Sequence, residues 1–211
     1  KEFALTPAAE KKSIWVIGGG PAGMEAARVA ALRGHAVTLW EKEKKLGGTL
    51  IPASVPEFKD DIKKLLAYLS YQLEPSGVHV ELNKEATVED LMNEDPDEIF
   101  LATGATAAVP QFPGSFGKQI ITAVDVLLGK EDAAQKIVVV GAGTIGCETA
   151  LWLARQGKKI VIVEILNDVM TDAFAINKQL MVGMLTEAGV NIMTGAHILK
   201  MNEGSITVED S

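Results

Sequence analysis

The sequence predicts an α/β fold of two Rossmann-like, doubly wound units, the second of which we expect to be truncated at its C-terminus. A G-x-G-x-x-G motif occurs twice, at residues 18–23 and 141–146. In both copies an apolar, strand-like run precedes the glycines and an alanine-rich, helix-like segment follows them. A glutamate, Glu41 or Glu164, ends the next strand 23 positions after the first glycine (41 − 18 and 164 − 141). This order is typical of a dinucleotide-binding unit.

The first unit is predicted to cover residues 13–109, after a linker at residues 1–12 that shows no apolar period. Its elements follow from apolar periodicity and from the glycines and prolines that end each run. In chain order they are a strand at Ile14–Ile17, a helix at Ala22–Leu32 followed by Gly34, a strand at Val37–Trp40, an amphipathic helix at 57–74, a half-buried strand through Val78, Val80 and Leu82, and a buried strand at Ile99–Ala102.

A crossover linker is predicted at residues 110–133, with a short helix at Thr122–Leu128, and the second unit at residues 134–211. The predicted elements of the second unit are a buried strand at Ile137–Val140, a helix at Ile145–Ala154 followed by Gly157, a strand at Ile160–Val163, a helix around Phe174–Ala188, a strand at Val190–Met193, and short strands at His197–Met201 and Ile206–Val208. A doubly wound unit continues with further strands, so we expect this unit to be incomplete.

The glycine spacing has a chemical reason. The first glycine of each motif permits a tight turn, the second lets a pyrophosphate approach the backbone, and the third lets the helix pack against the strand. The N-terminus of the helix then presents free N–H groups to the phosphates, and the glutamate can accept hydrogen bonds from ribose hydroxyls. Glycine-rich turns also occur for packing alone, but the full context is present twice. The sequence therefore predicts two nucleotide cofactors.

Composition excludes several other classes. The chain has 211 residues, a net charge of −8 and 47% hydrophobic residues. This acidic balance argues against a nucleic-acid partner, and no apolar run approaches the roughly 20 residues of a membrane span. The first residues lack the apolar core of a signal peptide, and one cysteine excludes an intrachain disulfide, so we expect a cytoplasmic location.

No side chain stands out as a catalytic acid, base or metal ligand. His35, His79 and His197 lack ligand-like spacing and are interpreted as surface or strand residues. Cys147 lies in the first turn of a predicted helix, where the helix dipole could lower its pKa. A small residue packed on the sheet is the favoured interpretation of this cysteine.

The order of motifs resembles a known group. G-x-G-x-x-G, Glu41, Gly47-Gly48 and Ala102-Thr103-Gly104 are followed by a second G-x-G-x-x-G with Glu164. This order is similar to that of flavoprotein reductases with two dinucleotide-binding domains. The runs at residues 18–27 and 41–48 most resemble the C-terminal part of NADH:flavin oxidoreductases, the relatives of enoate reductase, 2,4-dienoyl-CoA reductase and trimethylamine dehydrogenase.

The resemblance implies FAD, or ADP alone, in the first unit. Glu41 would hold the adenosine ribose, with Lys42 beside it, and Ala86 would contact adenine through its backbone. The remaining residues implied at this site are Gly18, Gly20, Pro21, Ala22 and Gly23 at the pyrophosphate, Gly48 and Thr49 at the phosphates or the flavin side, and Ala102, Thr103 and Gly104 closing the pocket.

The resemblance implies a nicotinamide cofactor in the second unit. The residues implied there are Gly141, Gly143, Thr144, Ile145, Gly146 and Glu164. A carboxylate at Glu164 can bond both ribose hydroxyls and would repel a 2′-phosphate. Ile165 and Leu166 follow and offer no arginine, so we expect NADH rather than NADPH.

The resemblance also implies parts that lie outside this sequence. Its members have an N-terminal flavin-binding barrel, in which the substrate is reduced, cysteines for an iron–sulfur cluster, and a final strand with a Gly-Asp motif. We therefore expect a fragment of a larger oxidoreductase that passes a hydride from NADH to FAD, and electrons through an iron–sulfur cluster to FMN, for reduction of an enoate- or enoyl-type C=C bond. Two alternatives stay open: a structural ADP-binding module, and the electron-input subunit of a glutamate-synthase-like complex.

Overall fold

The computed structural model describes residues 4–114, 120–202 and 204–210 of the chain. The chain divides into two compact units, Lys1–Thr106 and Ala107–Ser211. The elements of the first unit are β1 (Ser13–Ile17), α1 (Pro21–Leu32), β2 (Ala36–Glu41), α2 (Leu50–Ala53), a 3-10 turn (Glu57–Lys59), α3 (Asp60–Leu73), β3 (His79–Leu82), α4 (Val88–Glu94) and β4 (Glu98–Leu101). Those of the second unit are α5 (Ala123–Leu127), β5 (Lys136–Val140), α6 (Thr144–Arg155), β6 (Lys159–Val163), α7 (Ala175–Glu187), β7 (Asn191–Met193), β8 (Ala196–Asn202) and β9 (Ser205–Asp210).

Each unit is built on a parallel sheet of the Rossmann type. The first sheet has the strand order β3-β2-β1-β4 and the second has the order β5-β6-β7. The registers correspond: Val16 lies opposite Leu39 in the first sheet, and Val139 lies opposite Ile162 in the second. β8 and β9 form a separate antiparallel pair. The predicted α/β fold class with two Rossmann-like units is thus confirmed.

The core of the first unit lies between the sheet and two helices. Alternate residues of β1 point to opposite faces, as the period of a strand requires. One face carries the larger cluster, comprising Ile14, Val16, Met24, Ala27, Ala30, Val37, Leu39, Leu69, Leu73 and Val78. The other face carries Trp15, Ile17 and Trp40, with the two indole rings edge to face at 4.3 Å between centroids. The two faces together fix the position of the turn after β1.

Two strands differ from the sequence prediction. β4 was expected to be buried, yet Leu101 is 75% exposed and Phe100 is 47% exposed. β5 was also expected to be buried, yet Val138 and Val140 are partly exposed. Both strands form an edge of their sheet, as the strand orders show. A continuous apolar run indicates a strand that is buried when both faces of its sheet are covered by other elements. The apolar pattern of the strand does not show whether those faces are covered.

Helix boundaries also differ in part. The predicted helix at 57–74 begins with a 3-10 turn, and the α-helix itself starts at Asp60, where two aspartates in the first turn favour a helix N-terminus. The short helices α2 and α4 were not predicted. A signal for α4 was present, since Thr87 and Asp90 form a capping box in which each side chain accepts from the other residue's backbone N–H. Among the described residues, no helix is both long enough and apolar enough to cross a membrane.

Candidate nucleotide-binding sites

The two glycine turns are closed by contacts that exclude any side chain. A Cβ added to Gly23 would lie 1.8 Å from the carbonyl oxygen of Gly18, and one added to Gly146 would lie 2.0 Å from that of Gly141. Gly18 and Gly141 adopt positive φ values of 111° and 96°. The helix N-terminus therefore packs directly on the strand end in both units, as the spacing predicts.

Both turns present first-turn N–H groups that a ligand can engage, although in α6 the N–H of Thr144 already donates to a carboxylate oxygen of Asp172. Gly20 and Gly143 are the N-cap residues of α1 and α6, and neither helix has a side-chain cap there. The first turns read Pro-Ala-Gly-Met and Thr-Ile-Gly-Cys, without charge. The N–H groups of a first helical turn and the positive end of the helix dipole favour an anion at such a position. The residues at both turns therefore fit the pyrophosphate of a dinucleotide.

The two glutamates have a structural role that the sequence did not reveal. Glu41 is 7% exposed, and its Oε2 accepts from the N–H of Gly19 at 2.6 Å. Glu164 is 8% exposed, and its Oε2 accepts from the N–H of Ala142, also at 2.6 Å. The Oε1 atoms accept from the backbone two residues further on, at Glu43 and Leu166. Each carboxylate clamps its glycine turn, and each oxygen keeps a second lone pair for another donor.

A loop returns to the glycine turn at the same position in both units. Six residues after each glutamate, the N–H of Gly47 donates to the carbonyl of Gly19 at 2.9 Å, and that of Met170 donates to Ala142 at 2.7 Å. Gly47 has a φ of 133° and Met170 a φ of 48°. The left-handed conformation is costly for methionine, so the buried Met170 is held there by its surroundings. The duplication therefore extends beyond the glycines and the acid.

Two residues further on, the two units diverge. The equivalent positions are Thr49 and Asp172, each 29 places after the second glycine of its motif (49 − 20 and 172 − 143). The N–H of Thr144, the first residue of α6, donates to Oδ2 of Asp172 at 3.4 Å. A carboxylate therefore lies at the N-terminus of α6, whereas the first unit has a hydroxyl residue at this position.

The other predicted residues of the first site are distributed around the same turn. The N–H of Ala102 donates to Ile17 at 2.8 Å, and its carbonyl lies 2.3 Å from where a Gly18 Cβ would be. Thr103 and Gly104 follow it and are exposed, as is Lys42. Ala86 packs against the cluster of Trp15 and Trp40 on the other face of the sheet. In the second site, Ile145 is 67% exposed.

Cys147 is a packed residue rather than an activated thiol. It is fully buried, and its Sγ donates to the carbonyl of Ala142 at 3.4 Å. Burial raises the pKa of the thiol to about 11, and the charges of Asp172, Glu164 and Glu148 act in the same direction. The burial of Cys147 confirms its interpretation as a packing residue. Within the described ranges, no group of three or more His, Cys, Asp or Glu side chains could hold a metal ion.

Comparisons with known proteins agree with this geometry. A cinnamate reductase of Clostridium sporogenes is 44% identical over 170 residues, which cover 81% of this chain and 25% of the relative. A bilirubin reductase of Mediterraneibacter gnavus is 35% identical over 210 residues, or 100% of this chain and 33% of the relative. A solved 2-naphthoyl-CoA reductase complex matches with a TM-score of 0.94 at 31% identity, over 99% of this chain and 32% of that chain.

The chain thus spans about a quarter to a third of the length of these relatives. The resemblance to flavoprotein reductases, drawn from the motifs, is confirmed by these matches. Residues 12–211 match the family described as pyridine nucleotide-disulphide oxidoreductase. With both glycine turns, both clamping glutamates and this match across nearly its whole length, the chain belongs to the pyridine nucleotide-disulphide oxidoreductase family.

Proposed function

We propose that this chain is the electron-input part of a flavin-dependent reductase, with FAD in the first unit and NADH in the second. The observation that carries the proposal is the duplicated site, in which two helix N-termini without an N-cap side-chain bond each face a glycine turn clamped by a buried glutamate. One protein with two such sites can bring a hydride donor and a hydride acceptor together. When bound, a flavin accepts a hydride from a nicotinamide and passes the electrons on.

In the first unit, the glycine turn would bind the pyrophosphate of FAD. Glu41 keeps free lone pairs for the adenosine ribose, with Lys42 beside it, and Gly48 and Thr49 border the turn because Gly48 lies against Gly20. Gly18, Gly20, Pro21, Ala22 and Gly23 would face the phosphates, Ala86 would contact adenine, and Ala102, Thr103 and Gly104 would close the pocket. The protein's contribution is to bind and orient the cofactor.

In the second unit, Gly141, Gly143, Thr144, Ile145 and Gly146 would bind NADH, with Glu164 at the ribose. The buried carboxylate of Glu164 would repel a 2′-phosphate, and the neighbouring Ile165 and Leu166 are exposed apolar residues.

NADH is therefore expected to bind more tightly than NADPH. The variant Ile165→Arg adds a cation without disturbing the hydrogen bonds of Glu164, and is expected to raise the affinity for NADPH. NADPH binding equal to or tighter than that of NADH in the unchanged chain would refute this assignment.

We further propose that the electrons leave for the remainder of a longer polypeptide, through an iron–sulfur cluster to FMN in a barrel domain. Support comes from the relatives, namely cinnamate reductase, bilirubin reductase and 2-naphthoyl-CoA reductase, which are three to four times as long as the aligned part. The names point to unsaturated substrates, so we propose reduction of an enoate- or enoyl-type C=C bond. We also propose that the second sheet is incomplete, since among the described residues β5 pairs with a strand on one side only, whereas β1 pairs on both sides.

The visible absorption spectrum of the purified chain after incubation with FAD tests the first site. A perturbed flavin spectrum in the presence of added FAD, which bleaches when NADH is added under argon and weakens on repeated dialysis, is the expected result. A protein that binds ADP but leaves the flavin spectrum unchanged would favour a structural nucleotide module, the second candidate for this site. A protein that binds neither nucleotide at equilibrium would refute both assignments of the first unit.

A further inference from the structure

We propose that Asp172 is an internal anion that competes with the pyrophosphate of the pyridine nucleotide for the N-terminus of α6, and so weakens binding at the second site. The inference rests on the proposed function of the second unit. It assigns a role in setting affinity to a residue outside the glycine motif and outside the ribose-binding acid.

The first support is the position of the carboxylate. Oδ2 of Asp172 accepts from the N–H of Thr144, one of the groups that a phosphate would engage, and lies 3.9 Å from where a Cβ of Gly143 would be. Asp172 and Thr144 also line a cavity of about 410 Å³, whose other walls are Glu148 of α6 and residues of α7 and the loop before it. The carboxylate therefore lies between the N-terminus of α6 and this cavity.

The second support is the way the loop holds Asp172 in place. Met170, two residues earlier, donates its N–H to the carbonyl of Ala142 and keeps a left-handed backbone conformation to do so. Glu164 holds the N–H of the same Ala142. The N–H and the carbonyl of Ala142 are therefore both hydrogen-bonded to the segment from Glu164 to Met170. These bonds fix the backbone that places Asp172 near the N-terminus of α6.

The third support is the contrast with the first unit. The first unit has the corresponding hydrogen bonds, from Gly19 to Glu41 and from Gly47 to Gly19. Two residues after Gly47, the position that corresponds to Asp172 is occupied by Thr49. Thr49 carries no charge, so a phosphate at α1 meets no competing carboxylate at this position. A helix N-terminus carries roughly half a positive charge, which cannot fully compensate two anions at once.

The difference fits the different tasks of the two sites. A pyridine nucleotide has to leave after each hydride transfer, whereas a flavin stays bound through many cycles. When the nucleotide leaves, the carboxylate of Asp172 can take the place of the phosphate at the helix N-terminus. This lowers the free-energy cost of leaving the N-terminal N–H groups without an anion. Asp172 would therefore speed exchange at the second site, and Thr49 would allow tight retention at the first.

The test uses Asp172→Asn, which keeps the size of the side chain and removes its charge. The control is Glu187→Gln, which changes net charge equally at an exposed residue at the far end of α7. Isothermal titration at fixed ionic strength measures the binding of NADH, ADP-ribose and adenosine. We expect Asp172→Asn to bind NADH and ADP-ribose about fivefold more tightly, as one charge at a helix terminus implies. Adenosine, which lacks phosphate, should bind equally to both variants.

The outcomes separate this inference from the proposed function. If the unchanged chain binds ADP-ribose but Asp172→Asn binds it equally or more weakly, the role of Asp172 is refuted while the second nucleotide site stands. If none of the variants binds NADH or ADP-ribose, the site itself is refuted and the inference with it. A reciprocal variant, Thr49→Asp, is expected to weaken ADP binding at the first site, and an unchanged affinity there would also count against the inference.

Discussion

The close approach of Gly146 to Gly141 gives a sharp prediction about stability. In Gly146→Ala the new Cβ would lie 2.0 Å from a backbone carbonyl oxygen, whereas Cβ contacts under 3.0 Å are essentially never seen. The turn and the helix must therefore separate by about 1 Å. The blocking atom is backbone, so no side-chain rotation can relieve the contact.

That separation strains several hydrogen bonds at once. The N–H of Gly141 donates to Val163 at 2.8 Å, and Ala142 is held by both Glu164 and Met170. Overpacking of this kind costs about 1–3 kcal/mol, and weakened hydrogen bonds add to it. We expect a loss of about 2 kcal/mol or more, which lowers the melting temperature of a unit of this size by about 10 °C.

Differential scanning calorimetry is the assay, with Gly183→Ala as the matched control. Gly183 lies inside α7, and a Cβ added there meets no atom within 4 Å. Replacing a glycine in a helix by alanine stabilises it by about 0.5–1 kcal/mol, so this variant should melt a few degrees higher. If Gly146→Ala melts at or above the temperature of the unchanged chain, the steric reasoning is wrong.

Three further predictions concern other parts of the chain. Glu164→Gln should destabilise the protein by about 1–3 kcal/mol in urea, because either the buried N–H of Ala142 or the partly buried N–H of Leu166 loses its acceptor. The exposed variant Glu187→Gln should not, and equal losses would contradict the clamp. Because the pKa of Cys147 rises from 9.0 to about 11 on folding, the unfolded thiol ionises first as pH rises. Stability should therefore fall between those pH values by roughly 2–3 kcal/mol, a slope that Cys147→Ala should lack in urea titrations. Asp95→Gly should raise the melting temperature by an amount equivalent to about 1 kcal/mol. Asp95 ends α4 with a φ of 44°, which favours glycine, and it places a negative charge at the helix C-terminus. A lower melting temperature of this variant would refute the prediction.

The sequence predicted the main elements well because their causes are local. Gly34 and Gly157 directly follow the C-caps of α1 and α6 with φ values of 97° and 81°, as expected for residues that end helices. The alternating and apolar runs located the strands to within one or two residues. The duplicated spacing of glycines and glutamates was likewise visible without a structure, since each motif lies within one short stretch of chain.

Exposure was harder to predict than element type. β4 and β5 read as buried strands, but each lies at an edge of its sheet and carries exposed apolar side chains. Strand order depends on which strands pair, and pairing is a long-range property that residue periodicity does not encode. The capping box that starts α4 is a local signal, since Thr87 and Asp90 are three residues apart in the sequence.

Two glycine turns, two helices and two following acids at equal spacing can be recognised from the sequence alone, because backbone sterics and strand or helix periods act over a few residues. What those acids contact depends on the tertiary structure. Glu41 and Glu164 clamp their own glycine turns through hydrogen bonds to residues 22 positions away in the sequence. Asp172 reaches the N-terminus of α6 through a hydrogen bond to a residue 28 positions away. Such contacts depend on where a folded loop places a particular N–H or carboxylate, which spacing alone does not specify.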